Sequence, residues 1–180
     1  MKLICFPFQS RHFYLKPETA LLRNGRTFYT PENSSRIECA LALVVKIDRL
    51  GRHIAPPFAH RYYHETALGF CLYAADILEE CRMHGVSWAS ACALDYSAPL
   101  SERFTPLLQS ERLQDLFAWE QWSGYFTESI DEAIAHLSRT IFLKMGDLIW
   151  FELHPPLLLS PPSQVHASRN GQIELHFGIR

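Results

Sequence analysis

The sequence predicts an α+β domain over residues 1–180, and three observations carry that expectation. The stretch from Ser34 to Val45 sets Ile37, Cys39, Leu41 and Leu43 on one parity and Glu38, Ala40 and Ala42 on the other. Residues two apart on a strand share a face, and both rows are largely apolar, so this strand is expected to be buried on both sides. Two other segments have helical spacing: Ala75, Ile77, Leu78 and Cys81, then Ile130, Ala133, Ile134 and Leu137. Finally, 48% of the 180 residues are hydrophobic and 13% aromatic, enough for a sizeable core in one domain.

Charge and cysteine usage exclude several classes. Seventeen basic residues stand against nineteen acidic ones, a net charge of -2, and no Lys/Arg cluster forms a stripe. Neither a nucleic-acid nor a membrane footprint is expected. The apolar run from Met1 to Phe6 is too short for a signal peptide, and no stretch approaches a transmembrane span. Cys5, Cys39, Cys71, Cys81 and Cys92 are odd in number and lack Cys-x-x-Cys spacing, which fits a reduced cytoplasm better than a disulfide framework.

In chain order, Met1–Phe6 is expected to be a short strand, and Gln9–His12 a brief loop into Phe13–Leu15. Asn24-Gly25 marks a turn that favours positive φ. After the strand at 36–47, Asp48–Gly51 is expected to close a hairpin back to His53-Ile54. Pro56-Pro57 starts a helical turn carrying His60, Arg61, Tyr62 and Tyr63, with His60 read as packed rather than metal-binding. Thr66–Tyr73 is the next strand and Ala74–Met83 a helix stopped by Gly85. Asp76 is read as structural, by capping or pairing.

Trp88–Ala93 is a small helical turn. Glu111–Trp119 looks amphipathic and helical. Phe117, Trp119, Trp122, Tyr125 and Phe126 either fill core or form a contact surface for a partner. Ser129 and Glu132 make a capping box for the last helix. Met145-Gly146-Asp147 turns into a strand over Leu148–Leu153. Pro155-Pro156 and Pro161-Pro162 break regularity, and Gly171 turns into a final strand, Ile173–Ile179.

Several of these segments resemble the fumarylacetoacetate hydrolase (FAH) family. The matching text is Leu15–Gly25, Phe28-Tyr29, Pro31, Ser34-Ser35, Leu43-Val44-Val45, Gly51–Ile54, Ala59–Tyr63, Leu68-Gly69, Asp95, Ser97-Ala98-Pro99 and Leu143–Ile149. These matches are collinear and span most of the chain. The resemblance implies an FAH-type mixed β-roll or β-sandwich with short peripheral helices. It also implies homodimers, and Mg²⁺ or Mn²⁺ held by a Glu-x-Glu pair plus an Asp for reactions of 2-oxo and diketo acids. Against that pattern the fold looks trimmed: the lid after the first strand looks deleted, and residues 100–128 look shortened.

The departures fall where the family's chemistry sits. Aligned on Ser34-Ser35 and Leu43-Val44-Val45, the two ligand glutamates fall on Ala40 and Ala42, the Asp on Cys71 and the active-site Lys on Cys92. The run after Gly146–Ile149 is replaced by Phe151-Glu152-Leu153-His154. Methyl groups offer no lone pairs, and a Cys in place of an Asp favours soft metals over Mg²⁺. The leading expectation is therefore a catalytically silent member with no metal and no cofactor, which binds a small organic acid or a partner. The alternative is an enzyme with a rebuilt site drawn from Glu38, Cys71, Cys92, Glu152 and His154, through a reactive thiol or a zinc site. The pocket candidates are Glu38, Cys71, Cys92, Asp95 and His154.

Overall fold

The computed structural model describes residues 1–106, 130–169 and 171–180. In chain order the strands are β1 (Leu3–Phe6), β2 (Tyr14–Lys16), β3 (Leu21–Arg23), β4 (Thr27–Phe28), β5 (Ile37–Ile47), β6 (Tyr63–Ala74), β7 (Ala98–Leu100), β8 (Thr105–Pro106), β9 (Leu148–Glu152), β10 (Leu157–Leu159), β11 (Ser163–Arg169) and β12 (Gln172–Ile179). The helices are α1 (Pro56–Ala59), α2 (Ala75–His84), α3 (Ala89–Cys92) and α4 (Ile130–Thr140). The expected helix at Glu111–Trp119, the aromatic group from Phe117 to Phe126 and the capping residue Ser129 lie outside the described residues.

Among the described residues the main sheet has nine strands, ordered β2-β1-β9-β5-β6-β7-β3, with β10 on β5 and β8 on β6. It is mixed: β1 runs parallel to β9 and β3 parallel to β7, while β5 is antiparallel to β6 and β9. A smaller sheet, β11-β12-β4, stacks on it. The long strand at its centre is buried along almost its whole length, as the two apolar rows required.

The core divides according to the faces of β5. Its odd-numbered residues pack at one end (Ile37, Cys39, Leu41) against Leu175, Phe177 and Ile179 of the small sheet. At the other end Leu43, Val45 and Ile47 pack against Ile130, Ala133, Ile134 and Leu137 of α4. The α4 apolar face is thus the one its spacing gives. The even-numbered face looks inward, where Ala42 and Val44 meet Cys5, Cys71, Tyr73, Cys92 and Trp150. One strand changes partners along one face because the sheet curls around it.

Gly69 makes that curl compact. A Cβ there would come within 2.5 Å of the Trp150 indole nitrogen and 2.6 Å of Val44 Cγ2. The only residue without a Cβ is thus required where β6 passes the largest fully buried side chain. Asp147 anchors the turn into β9. Its carboxylate accepts the Lys2 and Lys144 backbone N–H groups, both at 2.8 Å, while Gly146 takes the positive φ.

Three expectations need correction. His53-Ile54 is not the return arm of a hairpin. β5 is answered by β6, Gly51 bridges to Leu143, and the His53 and Ile54 N–H groups are taken by the Ser138 carbonyl and hydroxyl of α4. Residues 48–54 give up ladder bonds because the helix offers acceptors. Second, the proline-rich stretch carries two strands that the prolines concealed, β10 between the two pairs and β11 directly after the second. Pro lacks an N–H but is tolerated at strand ends, which is where these pairs fall. Third, Asp95 is displaced from its expected pocket, as described below.

Candidate functional site

Ala40, Ala42, Cys71 and Cys92 come together in the fold. Ala40 stands opposite Cys71 across the β5–β6 ladder, and Ala42 stands between Gly69 on β6 and Glu152 on β9. Directly opposed residues share a face, so Ala40, Ala42, Cys71, Tyr73 and Glu152 all project to the inside of the roll. Ala40, Ala42, Cys71 and Cys92 are all at most 1% exposed. Glu38 continues the row, half-buried, opposite Tyr73 on one side and Leu158 on the other.

Residues from other strands complete this face. Along β2 the usual polarity is inverted: Leu15 is exposed, while Tyr14 and Lys16 point inward. Tyr14 shares a hydrogen bond of 2.9 Å with the Tyr73 hydroxyl and lies 3.5 Å from Glu152 Oε1. Glu152 Oε2 accepts the Phe8 N–H at 3.1 Å. Tyr14 has a single hydrogen, so the chain runs in one sense when Tyr73 donates to Tyr14 and Tyr14 to Glu152.

Burial sets the protonation of this group. It pushes the Glu152 carboxyl up to about 8, against the opposing pull of the Phe8 N–H and the Lys16 ammonium. Burial, reinforced by neighbouring acidic groups, also raises the Tyr14 hydroxyl. The Cys71 thiol is raised well above its ordinary value by burial and by its hydrogen bond with Cys5, and Cys92 is raised to about 11 by burial. At neutral pH these thiols are protonated, and a thiol is a poor nucleophile and metal ligand.

Lys16 is the residue that sequence reasoning missed. Its ammonium is buried and donates to the Leu72 carbonyl at 2.9 Å, the Cys92 carbonyl at 2.5 Å and the Ser97 hydroxyl at 2.8 Å. All three donors are used, which is the condition for keeping an ammonium in a core. The signal was present in the triplet Tyr14-Leu15-Lys16, whose parity puts two polar ends together. The family resemblance had directed attention to Cys92, whose carbonyl Lys16 in fact holds.

His154 has a structural task. β9 and β10 both pair with β5 along the same edge, but Pro155 and Pro156 interrupt the ladder between them. In the gap the Leu41 N–H donates to His154 Nε2 at 3.1 Å, and Nδ1 donates to the Pro155 carbonyl at 2.6 Å. This arrangement requires a neutral ring, and burial lowers the His154 pKa accordingly. Asp95 sits in an exposed turn beside Tyr96 at positive φ, and its carboxylate accepts the Thr19 hydroxyl. The Asp76 carboxylate binds Ser34, Ser35 and the Ile77 N–H, which hold it below the usual carboxylate range although burial pulls the other way. It ties α2 to the start of β5, the structural role its position gave.

A cavity of about 250 Å³ opens beside this network. It is lined by Pro7, Phe8, Tyr73, Leu78, Arg82, Trp88, Glu152, Pro155 and Pro156. None of the five expected pocket residues is in that wall. Cys71 and Cys92 lie beneath it in the core cluster that Tyr14 packs against, His154 faces the ladder gap, Glu38 lies further along the row, and Asp95 is outside. Among the described residues, no group of three or more His, Cys, Asp and Glu side chains is placed to hold a metal ion. His60 is half-buried at the end of α1 and belongs to no such group.

No family model matches the chain. The sequence is 29% identical to the mitochondrial oxaloacetate tautomerase FAHD1 of Mus musculus, with 76% of this chain and 65% of that protein covered. The Homo sapiens protein of the same name is 27% identical over the same shares. The chain thus spans just under two thirds of the length of these relatives. In structure it resembles a Pseudomonas aeruginosa fumarylpyruvate hydrolase solved with Mn²⁺ and pyruvate, with a TM-score of 0.77 at 16% identity, covering 99% of this chain and 89% of that one. It also resembles a 2-hydroxyhepta-2,4-diene-1,7-dioate isomerase from Mycobacterium marinum, with a TM-score of 0.81 at 18% identity, covering 99% of this chain and 73% of that one. At such identities the structural likeness carries the fold, and function has to be argued from the site.

Proposed function

This chain belongs to the fumarylacetoacetate hydrolase family, and we propose that it is a metal-free member, a small-molecule-binding module without the family's metal-dependent hydrolase or isomerase chemistry. The observation that carries the reading is the ladder position of Ala40 and Ala42, buried side by side and facing Cys71 and Glu152. A hard divalent cation needs about six oxygen ligands, and waters can supply several of them only where the protein adds charged carboxylates. This face offers two methyl groups, a protonated thiol, the half-buried Glu38 side chain at the edge of the row and one deeply buried carboxyl whose charge is suppressed by burial. The donor set does not fit Mg²⁺ or Mn²⁺.

The alternative, a rebuilt enzyme site on Glu38 and Cys71 or Cys92, finds less support. Both thiols are core residues whose pKa values are raised, whereas reactive cysteines need an electropositive, accessible setting. The proposal includes a homodimer, as the resemblance implies, and a reducing compartment such as the cytoplasm. The second is supported by five cysteines that are all free and buried. No helix among the described residues is long and apolar enough to cross a membrane.

The test is thermal melting of the chain with Mn²⁺ or Mg²⁺, each with and without oxalate. Anything that binds the native state raises its melting temperature by linkage, by about 2.7 kcal/mol of stabilisation at a hundredfold excess over Kd. The expected result is no metal-dependent shift. A saturable Mn²⁺ shift that oxalate enlarges would overturn the reading.

A further inference from the structure

The cavity beside Glu152 has a polarity that points to a ligand class. Arg82, in the last turn of α2, is exposed, lines the cavity and makes no ion pair with a described residue. Deeper in, the Glu152 carboxyl is 5% exposed and tied to Phe8 and Tyr14. The rest of the wall is largely apolar, with Trp88, Phe8, Leu78 and three prolines. An unpaired guanidinium favours a carboxylate, which it can grip through two parallel hydrogen bonds. A carboxyl group held among apolar atoms favours a neutral hydroxyl, with which it can exchange donor and acceptor roles.

Size and charge narrow the class. The volume of about 250 Å³ is roughly eight times the 30 Å³ share of a liquid water molecule and lies below the usual range for drug-sized ligands. That volume suits a ligand of one ring. A second carboxylate would find no cation among the described residues of the wall, where Arg82 is the single basic one. Lys16 has committed its three donors to Leu72, Cys92 and Ser97. A dicarboxylate would therefore bring a charge up against Glu152, which is costly in a desolvated site.

We propose that this cavity binds a one-ring hydroxylated aromatic monocarboxylic acid, with its carboxylate on Arg82, its ring against Trp88 and Phe8, and its hydroxyl on Glu152. The assignment rests on the metal-free reading above and names the ligand class for that same face of the roll. It differs from metal-assisted recognition because every contact comes from a side chain of this chain.

The experiment is calorimetric titration of the whole chain with 4-hydroxyphenylacetate in the presence of EDTA. Phenylacetate, tyramine and oxalate serve as comparison ligands, and Arg82→Gln and Trp88→Ala as variants. Both variants are checked for an unchanged circular dichroism spectrum before titration. The expected result is saturable binding in EDTA, weakened about tenfold by loss of the ligand hydroxyl and at least tenfold by Arg82→Gln, with tyramine and oxalate not binding. No saturable binding in EDTA, or binding indifferent to Arg82→Gln, overturns the proposal. If Mn²⁺ is also without effect, the metal-free reading stands and only the ligand assignment fails. Binding that appears only when Mn²⁺ replaces EDTA overturns both. If Trp88→Ala disturbs the fold, Arg82→Gln on the exposed helix end still decides the outcome.

Discussion

Across the β5–β9 ladder Ala42 stands directly opposite Glu152. Among the described residues, the one deeply buried carboxyl on this face therefore comes from the strand next to the Ala40–Ala42 row, not from the row itself. Its surroundings keep it largely protonated at neutral pH, and that has consequences for stability.

Glu152 is expected to make the protein less stable as pH rises. Its folded pKa of about 8 exceeds the ordinary value of 4.5, so between those values the folded state holds a proton that the unfolded state releases. Stability falls across that window, by an amount on the order of a few kcal/mol, and the penalty is complete above the folded pKa. Glu152→Gln should flatten this slope in urea titrations at pH 5, 7 and 9. An unchanged slope would mean that another group titrates there.

His154 acts at the other end of the scale. Its folded pKa lies below 6.5, so the neutral ring contributes stability that is fully present above 6.5 and is lost as pH falls toward the lowered value. Protonation removes the acceptor of the Leu41 N–H and leaves a gap in the ladder. His154→Gln, which keeps an acceptor but does not titrate, should be less stable at pH 8 and lose less on going to pH 5. Thermal melts at the two pH values measure this directly.

Gly69→Ala is expected to cost about 1–3 kcal/mol through overpacking, because the new methyl would meet Trp150 and Val44 inside normal contact distance. The urea midpoint should fall with an unchanged m-value. A neutral result would mean that the Trp150 side chain moves aside freely.

Ala42→Glu restores the residue type that the family resemblance places at this position, but it should not restore a site. The new carboxylate would be buried opposite Glu152 with no cation committed to it. A loss on the order of 3–5 kcal/mol is expected, growing with pH as the two groups compete to ionise. Ala42→Gln, of similar volume and without charge, separates crowding from repulsion in the same denaturation series.

Much of the frame was legible in the chain. The two apolar rows of 37–47 required a strand buried on both faces. The α4 spacing fixed the face that packs on Leu43 and Val45, and Gly25, Gly85 and Gly146 marked turns that do take positive φ. The strands flanked by proline pairs were not legible, because Pro removes a donor without saying whether its neighbours still pair. The false hairpin at 48–54 has a similar origin: a local turn signal cannot reveal that Ser138, more than eighty residues away, supplies the acceptors.

The site divides in the same way. Sequence alone put Ala40 and Ala42 on one face of one strand, because residue identity and strand parity are local properties. Tertiary structure alone decided what occupies that space. Tyr14 and Lys16 from β2, and Glu152 from β9, converge there across ladders that no spacing rule connects. Only burial, which is a property of the assembled roll, turns Glu152 into a largely neutral acid, His154 into a ladder acceptor and the cysteines into inert core.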